Sequence, residues 1–319
     1  MEFSIVLEWE NALIAELDRT EAMLQAIHLQ CAARSESVEL VILHNPEQVG
    51  GAFIVGFIEA VIQKHNLPRV LELRLLEAPN AHYFQLKNLG IRASRGQSVI
   101  VLDSDVIPEA RWLDTLIEAH QTYPEAFVSG LSYIDYGDFL GKAFAINWFF
   151  PFPPVDNRLI LVNQIRSNNF MVKRQLFLDH PYPKMDDGVT RGADNLLWKD
   201  LTDKGIQLYV HHGARATHPA PSNFQHFLIR GLGEGRDFYF FNQEKELLPK
   251  HPTIHFLKYY LLLCIRVFKN TITQGFRVQL STWEKPAIIA TMLIYYQLFL
   301  AGGLIAKFFP SFSKTVWQI

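Results

Sequence analysis

Between Phe3 and Asp103 four strand-like apolar runs alternate with three helical patterns, and that alternation constrains the fold more than any single motif. Phe3–Leu7 and Val38–His44 are nearly unbroken, Leu71, Leu73 and Leu75 alternate with Glu72 and Arg74, and Gln97–Leu102 closes the series. Continuous apolar runs suit strands covered on both faces, whereas alternation suits a strand near a sheet edge. Asn11 is an N-cap residue for a helix whose stripe runs Ile14, Leu17, Leu24, Ile27 and Cys31. Phe53, Phe57, Ile58, Val61 and Ile62 mark a second helix, and Tyr83–Arg95 a third that stops at Gly96. Parallel strands need such crossovers, so the expected class is α/β with a mostly parallel, doubly wound sheet.

The last of these strands empties into Asp103-Ser104-Asp105. Side chains at i and i+2 of a strand leave on one face, so both carboxylates are expected to converge at the sheet's carboxyl edge, where open α/β sheets bind ligands. Two anions that close repel unless a cation joins them. A hard divalent ion, Mg²⁺ or Mn²⁺, bound in turn to phosphate oxygens, fits that need; two solvated loop aspartates are the plainer reading.

The chain has 319 residues, enough for a full core, and a formal net charge of −2, which offers no field for nucleic acid. Its two cysteines, Cys31 and Cys264, sit in apolar helical patterns and read as buried free thiols. The N-terminus starts directly on a strand pattern, so no secretory signal is expected there.

Beyond Pro108, Glu109–His120 reads as a helix, Phe127–Tyr136, Leu159–Ile165 and Ser167–Val172 as strands, and Lys173–Asp179 as a short helix. The apolar, proline-rich run Trp148–Pro154 suits either a lid over an acceptor or a core-facing loop. Ser222–Gln243 carries Arg230 and Arg236 among aromatics. Ile254–Phe268 is Leu- and Tyr-rich but interrupted by Lys258 and Arg266. Ala287–Ala306 is twenty residues without a charge, the length of a membrane crossing, although an interfacial or buried helix fits the same composition.

Lys87-Asn88-Leu89-Gly90-Ile91-Arg92-Ala93-Ser94-Arg95-Gly96, a strand, and Asp103-Ser104-Asp105 follow one another at tight spacing. Arg191-Gly192-Ala193-Asp194-Asn195-Leu196-Leu197-Trp198 follows later. Over roughly residues 1–240, and most specifically in 86–108 and 190–218, the chain resembles the family 2 glycosyltransferases of the GT-A fold. The resemblance implies a GT-A domain over 1–245, with a nucleotide-binding half (1–108) and an acceptor half (109–245), followed by a membrane-associated helical region at 250–319. It implies that Asp103 reaches toward ribose or uracil, that Asp105 holds the metal on a diphosphate, and that His218 is a further metal ligand.

Asp194 stands where the family has its catalytic base, with Ala193 in place of the usual first acid; otherwise Asp194 simply caps its helix. A helix N-terminus is expected to keep that carboxyl ionised. Glu8 and Asn45 occupy the family's base- and ribose-binding positions, although the surrounding pattern departs from it. Lys87 is expected to meet a phosphate or to solvate a helix face, and Arg230 and Arg236 to clamp the diphosphate or sit at a membrane surface.

The processive Gln-x-x-Arg-Trp motif does not occur, which points to single-sugar transfer. The implied enzyme is a non-processive, inverting transferase. It would use Mg²⁺ or Mn²⁺, a nucleoside-diphosphate sugar and a lipid-linked or envelope-glycan acceptor, at a membrane and facing the cytoplasm, with no nucleic-acid partner. Two alternatives stand beside it: a haloacid-dehalogenase-like phosphatase with Asp103 as nucleophile and Asp186-Asp187 as its late acidic pair, and an inactive GT-A domain acting as a membrane-bound assembly partner.

Overall fold

β1 (Phe3–Glu8), β2 (Val38–His44), β3 (Leu71–Glu77) and β4 (Ser98–Asp103) form the parallel part of one sheet in the order β3-β2-β1-β4. The computed structural model describes residues 2–14, 17–34, 38–154, 156–185, 192–221, 223–241 and 251–315. Every residue of β1 and β2 is buried, while β3 is half-buried at the edge, as its alternating pattern predicts. The α/β expectation is borne out, and the parallel pairing is concentrated in this first half.

β5 (Ile107–Pro108), β6 (Phe127–Ile134), β7 (Leu159–Val162), β8 (Asn169–Lys173) and β9 (Leu208–His218) extend the sheet beyond β4 in the order β8-β6-β9-β5, with β7 also on β9. Here β8 runs antiparallel to β4 and β6, and β5 and β7 run antiparallel to β9.

The chain forms two compact units. The first comprises residues 1–133, 153–184 and 193–218, and the second 134–152, 185–192 and 219–319. The first unit's core joins Ile5, Leu7, Leu40, Ile42, Ile100 and Leu102 to the helices Leu17–Ala32, Gly51–Lys64 and Trp112–Thr122. Cys31 lies in that core as a free thiol that burial pushes up to about 12. The helix expected at Glu109 begins at Trp112, because the Glu109 amide donates to the Arg215 carbonyl at 2.9 Å and prolongs the β5–β9 ladder.

The Tyr83–Ala93 helix packs unusually close to the sheet. A Cβ on Gly90 would lie 2.5 Å from Val6 Cγ1 and 2.5 Å from Leu43 Cδ2. Residues three apart share a helix face, so Lys87 is carried over the same sheet toward its carboxyl edge.

In the second unit the helices Phe139–Asn147, Phe224–Phe241, Pro252–Gln274 and Glu284–Phe308 enclose a core of Phe144, Phe227, Phe256, Met292, Tyr295 and Phe299. Trp148 and Phe150 belong to that core, so this part of the apolar, proline-rich run faces inward, with Phe149 exposed. Glycines let two helices touch backbone to backbone. Added Cβ atoms would lie 1.8 Å from the Phe299 carbonyl oxygen at Gly235 and 2.0 Å from that of Leu232 at Gly302. The predicted Ser222–Gln243 helix is observed as Phe224–Phe241; Ser222 and Gln243 lie outside the described residues. Glu284–Phe308 contains the charge-free run and, among the described residues, is long and apolar enough to cross a membrane, although it buries one face in this unit.

At the amino end of β2, Glu39 is fully buried and receives hydrogen bonds from Ser4 Oγ at 2.5 Å, Arg74 Nη1 at 2.5 Å, and the Arg95 amide and Nε at 2.9 and 2.8 Å. Burial opposes ionisation, but these donors outweigh it and hold the carboxyl at about 2, against an ordinary 4.5. A carboxyl lowered in the folded state stabilises fully above its unfolded value and loses that contribution as pH falls through the folded one. Glu39→Gln is therefore expected to cost about 3 kcal/mol at pH 7, with the gap to wild type closing between about pH 4.5 and 2. Urea unfolding of both proteins across that range checks it; a pH-independent gap would refute it.

Candidate active site

The parallel register pairs Glu8 of β1 with Asp103 of β4, so two carboxylates end adjacent strands side by side. Both are buried, at 0% and 2% exposure. The Tyr83–Ala93 helix supplies what their charge requires. Lys87, also fully buried, donates from Nζ to Asp103 Oδ1 at 2.5 Å and to the Ser167 carbonyl at 3.0 Å, and its ammonium lies 3.7 Å from the Tyr83 ring centroid. Tyr83 Oη and Asn11 Nδ2 donate to Asp103 Oδ2 at 2.6 and 3.2 Å. Asn11 also donates twice to Glu8, from Nδ2 and from its amide, both at 3.0 Å.

Asn11, expected as an N-cap, thus sits inside the Glu10–Ile14 helix and bridges the two acids. Lys87 does not solvate a helix face. Burial raises the Asp103 carboxyl, with Lys87 and Tyr83 pulling it back down; Glu8 is raised well above the ordinary range by burial and then by Asp103.

Asp105 is placed by different means. It lies in a turn past β4, where the Val106 amide donates to the Asp103 carbonyl at 3.1 Å, so the strand period does not orient it as the sequence suggested. Instead Arg19 donates from Nε to the Asp105 carbonyl at 3.1 Å, and from Nη2 to the Thr217 carbonyl at 3.0 Å and to Thr217 Oγ1 at 3.2 Å. The β5–β9 register pairs Ile107 with Thr217, which brings Asp105 and the half-buried His218 to the same end of that ladder. Among the described residues no group of three His, Cys, Asp or Glu side chains is set to hold a metal. Asp105 and His218 together offer one oxygen and one nitrogen donor group, so a cation there needs further oxygens from a ligand.

Asp194 opens the Ala193–Asp203 helix and accepts from the Asn195 amide at 3.0 Å. Burial nevertheless raises its carboxyl above the ordinary range, opposed by that amide and by the charges of Arg166 and Lys87. Desolvation outweighs the helix terminus, the reverse of the expectation. Lys87 is thus felt by Asp103 and Asp194 alike, which ties the late aspartate electrostatically to the paired one.

Tyr182 lies in the same field, its hydroxyl raised by burial and then by Asp194 and Asp103. Asn88 grips its backbone twice, accepting from the amide at 3.1 Å and donating to the carbonyl at 2.9 Å.

Asn45 is buried in the turn after β2, where its side-chain oxygen accepts from the Glu47 amide at 3.0 Å. In the second unit, Arg230 pairs with Glu234 at 3.2 Å and stacks over Trp148 at 5.0 Å, while the fully buried Arg236 pairs with Asp237 at 2.7 Å. Both arginines are committed to partners in their own unit. Arg191 and Asp186-Asp187 lie outside the described residues. Sequence reasoning missed Arg19, Tyr83, Arg166 and Tyr182; Tyr83 alone carried a signal, lying one helical turn before Lys87.

Residues 65–180 match the model of glycosyl transferase family 2. Over this segment the chain is similar to the family 2 glycosyl transferases. The segment contains Tyr83, Lys87, Asp103 and Asp105, and ends before Asp194. The mannosyltransferase PcManGT from Pyrobaculum calidifontis, solved in complex with GDP-Man and Mn²⁺, is similar over 96% of this chain and 88% of that one, at 15% identity and a TM-score of 0.57, and shares the fold. GalNAc-T7 with UDP, GalNAc and Mn²⁺ aligns at 14% identity and a TM-score of 0.48 over 68% of this chain, which spans only 43% of that one. TarS 1–349 of S. aureus aligns at 12% identity and a TM-score of 0.45, over 99% of this chain and 75% of that one. No curated relative matches the chain.

Within the matched segment, removing the buried cation should strand the buried anion. Lys87→Met is expected to cost about 3–5 kcal/mol, and the double variant Lys87→Met/Asp103→Asn less than the sum of the two singles. A double-mutant cycle by urea unfolding reads the coupling; simple additivity would remove Lys87 as the partner that makes Asp103 tolerable.

Proposed function

We propose that this chain is a non-processive, inverting glycosyltransferase moving one sugar from a metal-bound nucleoside-diphosphate sugar to a hydroxyl of a lipid-linked or envelope-glycan acceptor. The observation that supports this reading is the Lys87–Asp103 anchor at the end of β4, beside the Asp105 turn tied by Arg19, with the charge of Lys87 acting on Asp194. The family 2 match supports the transfer chemistry, and the missing Gln-x-x-Arg-Trp motif supports single-sugar transfer.

In this reading Asp194 takes the proton of the acceptor hydroxyl as its oxygen attacks the anomeric carbon. The bond from that carbon to the diphosphate oxygen breaks, and the nucleoside diphosphate leaves. Mg²⁺ or Mn²⁺, held by Asp105 and His218 and by diphosphate oxygens, would neutralise the leaving group. Asp103 has Oδ1 engaged by Lys87 and Oδ2 by Tyr83 and Asn11, which suits a fixed wall of the nucleoside pocket with Glu8 and Asn45. The same occupancy disfavours the phosphatase alternative, which needs an Asp103 oxygen as nucleophile. The helical region at 250–319 would hold the enzyme at a membrane, with the catalytic domain at 1–245 facing the cytoplasm.

Calorimetric titration with UDP-, GDP- and dTDP-sugars, with and without Mn²⁺, tests this reading. One donor should bind only with metal, and Asp105→Ala should lose that binding. Asp194→Asn should keep donor binding and lower kcat by about 10²–10⁴-fold. Binding without turnover in the wild type, unchanged in Asp194→Asn, would instead favour the inactive assembly partner.

The raised Asp194 carboxyl also fixes a pH dependence. The base works when ionised, so kcat should rise with pH along a limb lying above the ordinary aspartate value of about 3.9. Arg166 lowers that carboxyl by its charge. Arg166→Gln should therefore move the limb to higher pH in a pH–rate profile; a shift downward, or none, would exclude Asp194 as the titrating base.

A further inference from the structure

The Pro252–Gln274 helix buries Phe256, Leu263, Val267 and Thr271 on one face. A second apolar stripe runs along the opposite face. Ile254, Leu257, Leu261, Ile265, Phe268 and Ile272 recur every three or four residues, and each is at least 39% exposed. Packing within a protein requires one such stripe, and here the second faces outward.

Its charges are one-sided. Lys258 and Lys269 are exposed, and at 100° per residue both project along the same margin of the stripe. No acidic residue occurs between 251 and 283, and from 251 to 319 seven Lys and Arg accompany the single acid Glu284, although the whole chain is net −2. A second copy would bring two cationic stripes together, which like charges oppose. An anionic lipid surface complements both the apolar face and the lysines.

We propose that this helix lies in the plane of an anionic bilayer interface, its outward stripe among the upper acyl chains and Lys258 and Lys269 on the headgroups. The proposal rests on the membrane reading above and adds the docking face, its orientation and the headgroup charge. An interfacial helix combines an apolar face with flanking lysines whose alkyl stems follow the apolar surface up to the headgroups. Lys258, Arg266 and Lys269 within 23 residues make crossing expensive for this helix, and lying flat avoids that cost.

Sedimentation of the full chain with phosphatidylcholine vesicles, with and without phosphatidylglycerol, provides the test. The wild type should bind the anionic vesicles about 30-fold more tightly, a preference that Lys258→Gln/Lys269→Gln removes. Leu261→Asp/Ile265→Asp should lose binding to both vesicle types while keeping the wild-type circular dichroism. Donor calorimetry on the same samples separates this result from the fate of the transferase reading. Equal binding to neutral and anionic vesicles overturns the proposal, as does full binding by Leu261→Asp/Ile265→Asp. So does a dimer in solution that those aspartates dissociate without any vesicle binding by the wild type.

Discussion

A lysine with no exposed surface, bonded at 2.5 Å to an aspartate that is itself buried, organises the carboxyl end of the parallel strands. Neither charge would be tolerable there alone, since a buried ion without a partner neutralises or unfolds its surroundings. The pair can form because Gly90 lets the Tyr83–Ala93 helix settle against Val6 and Leu43, and because the β1–β4 register ends both strands at the same level. Tyr83, Asn11 and Glu8 then fill in around Asp103. Asp194 enters the same field through Lys87 from a helix more than a hundred residues later in the chain.

Asp194 shows two elementary effects in opposition. A helix N-terminus stabilises a carboxylate by roughly a kcal/mol or less at an exposed site, whereas desolvation can move a buried group by several units. Here desolvation prevails, and the consequence suits a base. A carboxylate whose proton affinity is raised toward the working pH accepts a proton more readily than one held fully ionised. The neighbouring cations Arg166 and Lys87 limit how far that rise goes.

The parts of this site that were legible in the sequence are those written in local pattern. Strand–helix alternation, the glycine after the third helix and the strand that ends at Asp103 can be read from periodicity and spacing, whereas Lys87 and Asp105 are marked by the family resemblance. Arg19 cannot, because its partners are the carbonyls of Asp105 and Thr217, and a backbone acceptor leaves no mark on residue type. β9 escaped for a related reason. Its buried positions include Ala214 and Ala216, small residues chosen by close packing rather than by strand propensity, so its pattern has no apolar alternation to detect. Tyr182 was hidden because Asn88, ninety-four positions earlier, fixes its backbone.

The aspartates at 103 and 105 look equivalent in sequence and are not equivalent in space. Asp103 is the last residue of a strand, with both oxygens engaged and its position fixed by β1 and the helix above it. Asp105 has left the strand for a turn, and its backbone is held by Arg19 against the end of β9. The two remain close enough for the charge of Asp105 to oppose ionisation of Asp103. Each is positioned by a different part of the unit, one by the parallel half and one by the antiparallel extension. A single D-x-D triplet thus couples the two halves, and a group bound across both carboxylates would be held by the packing of each.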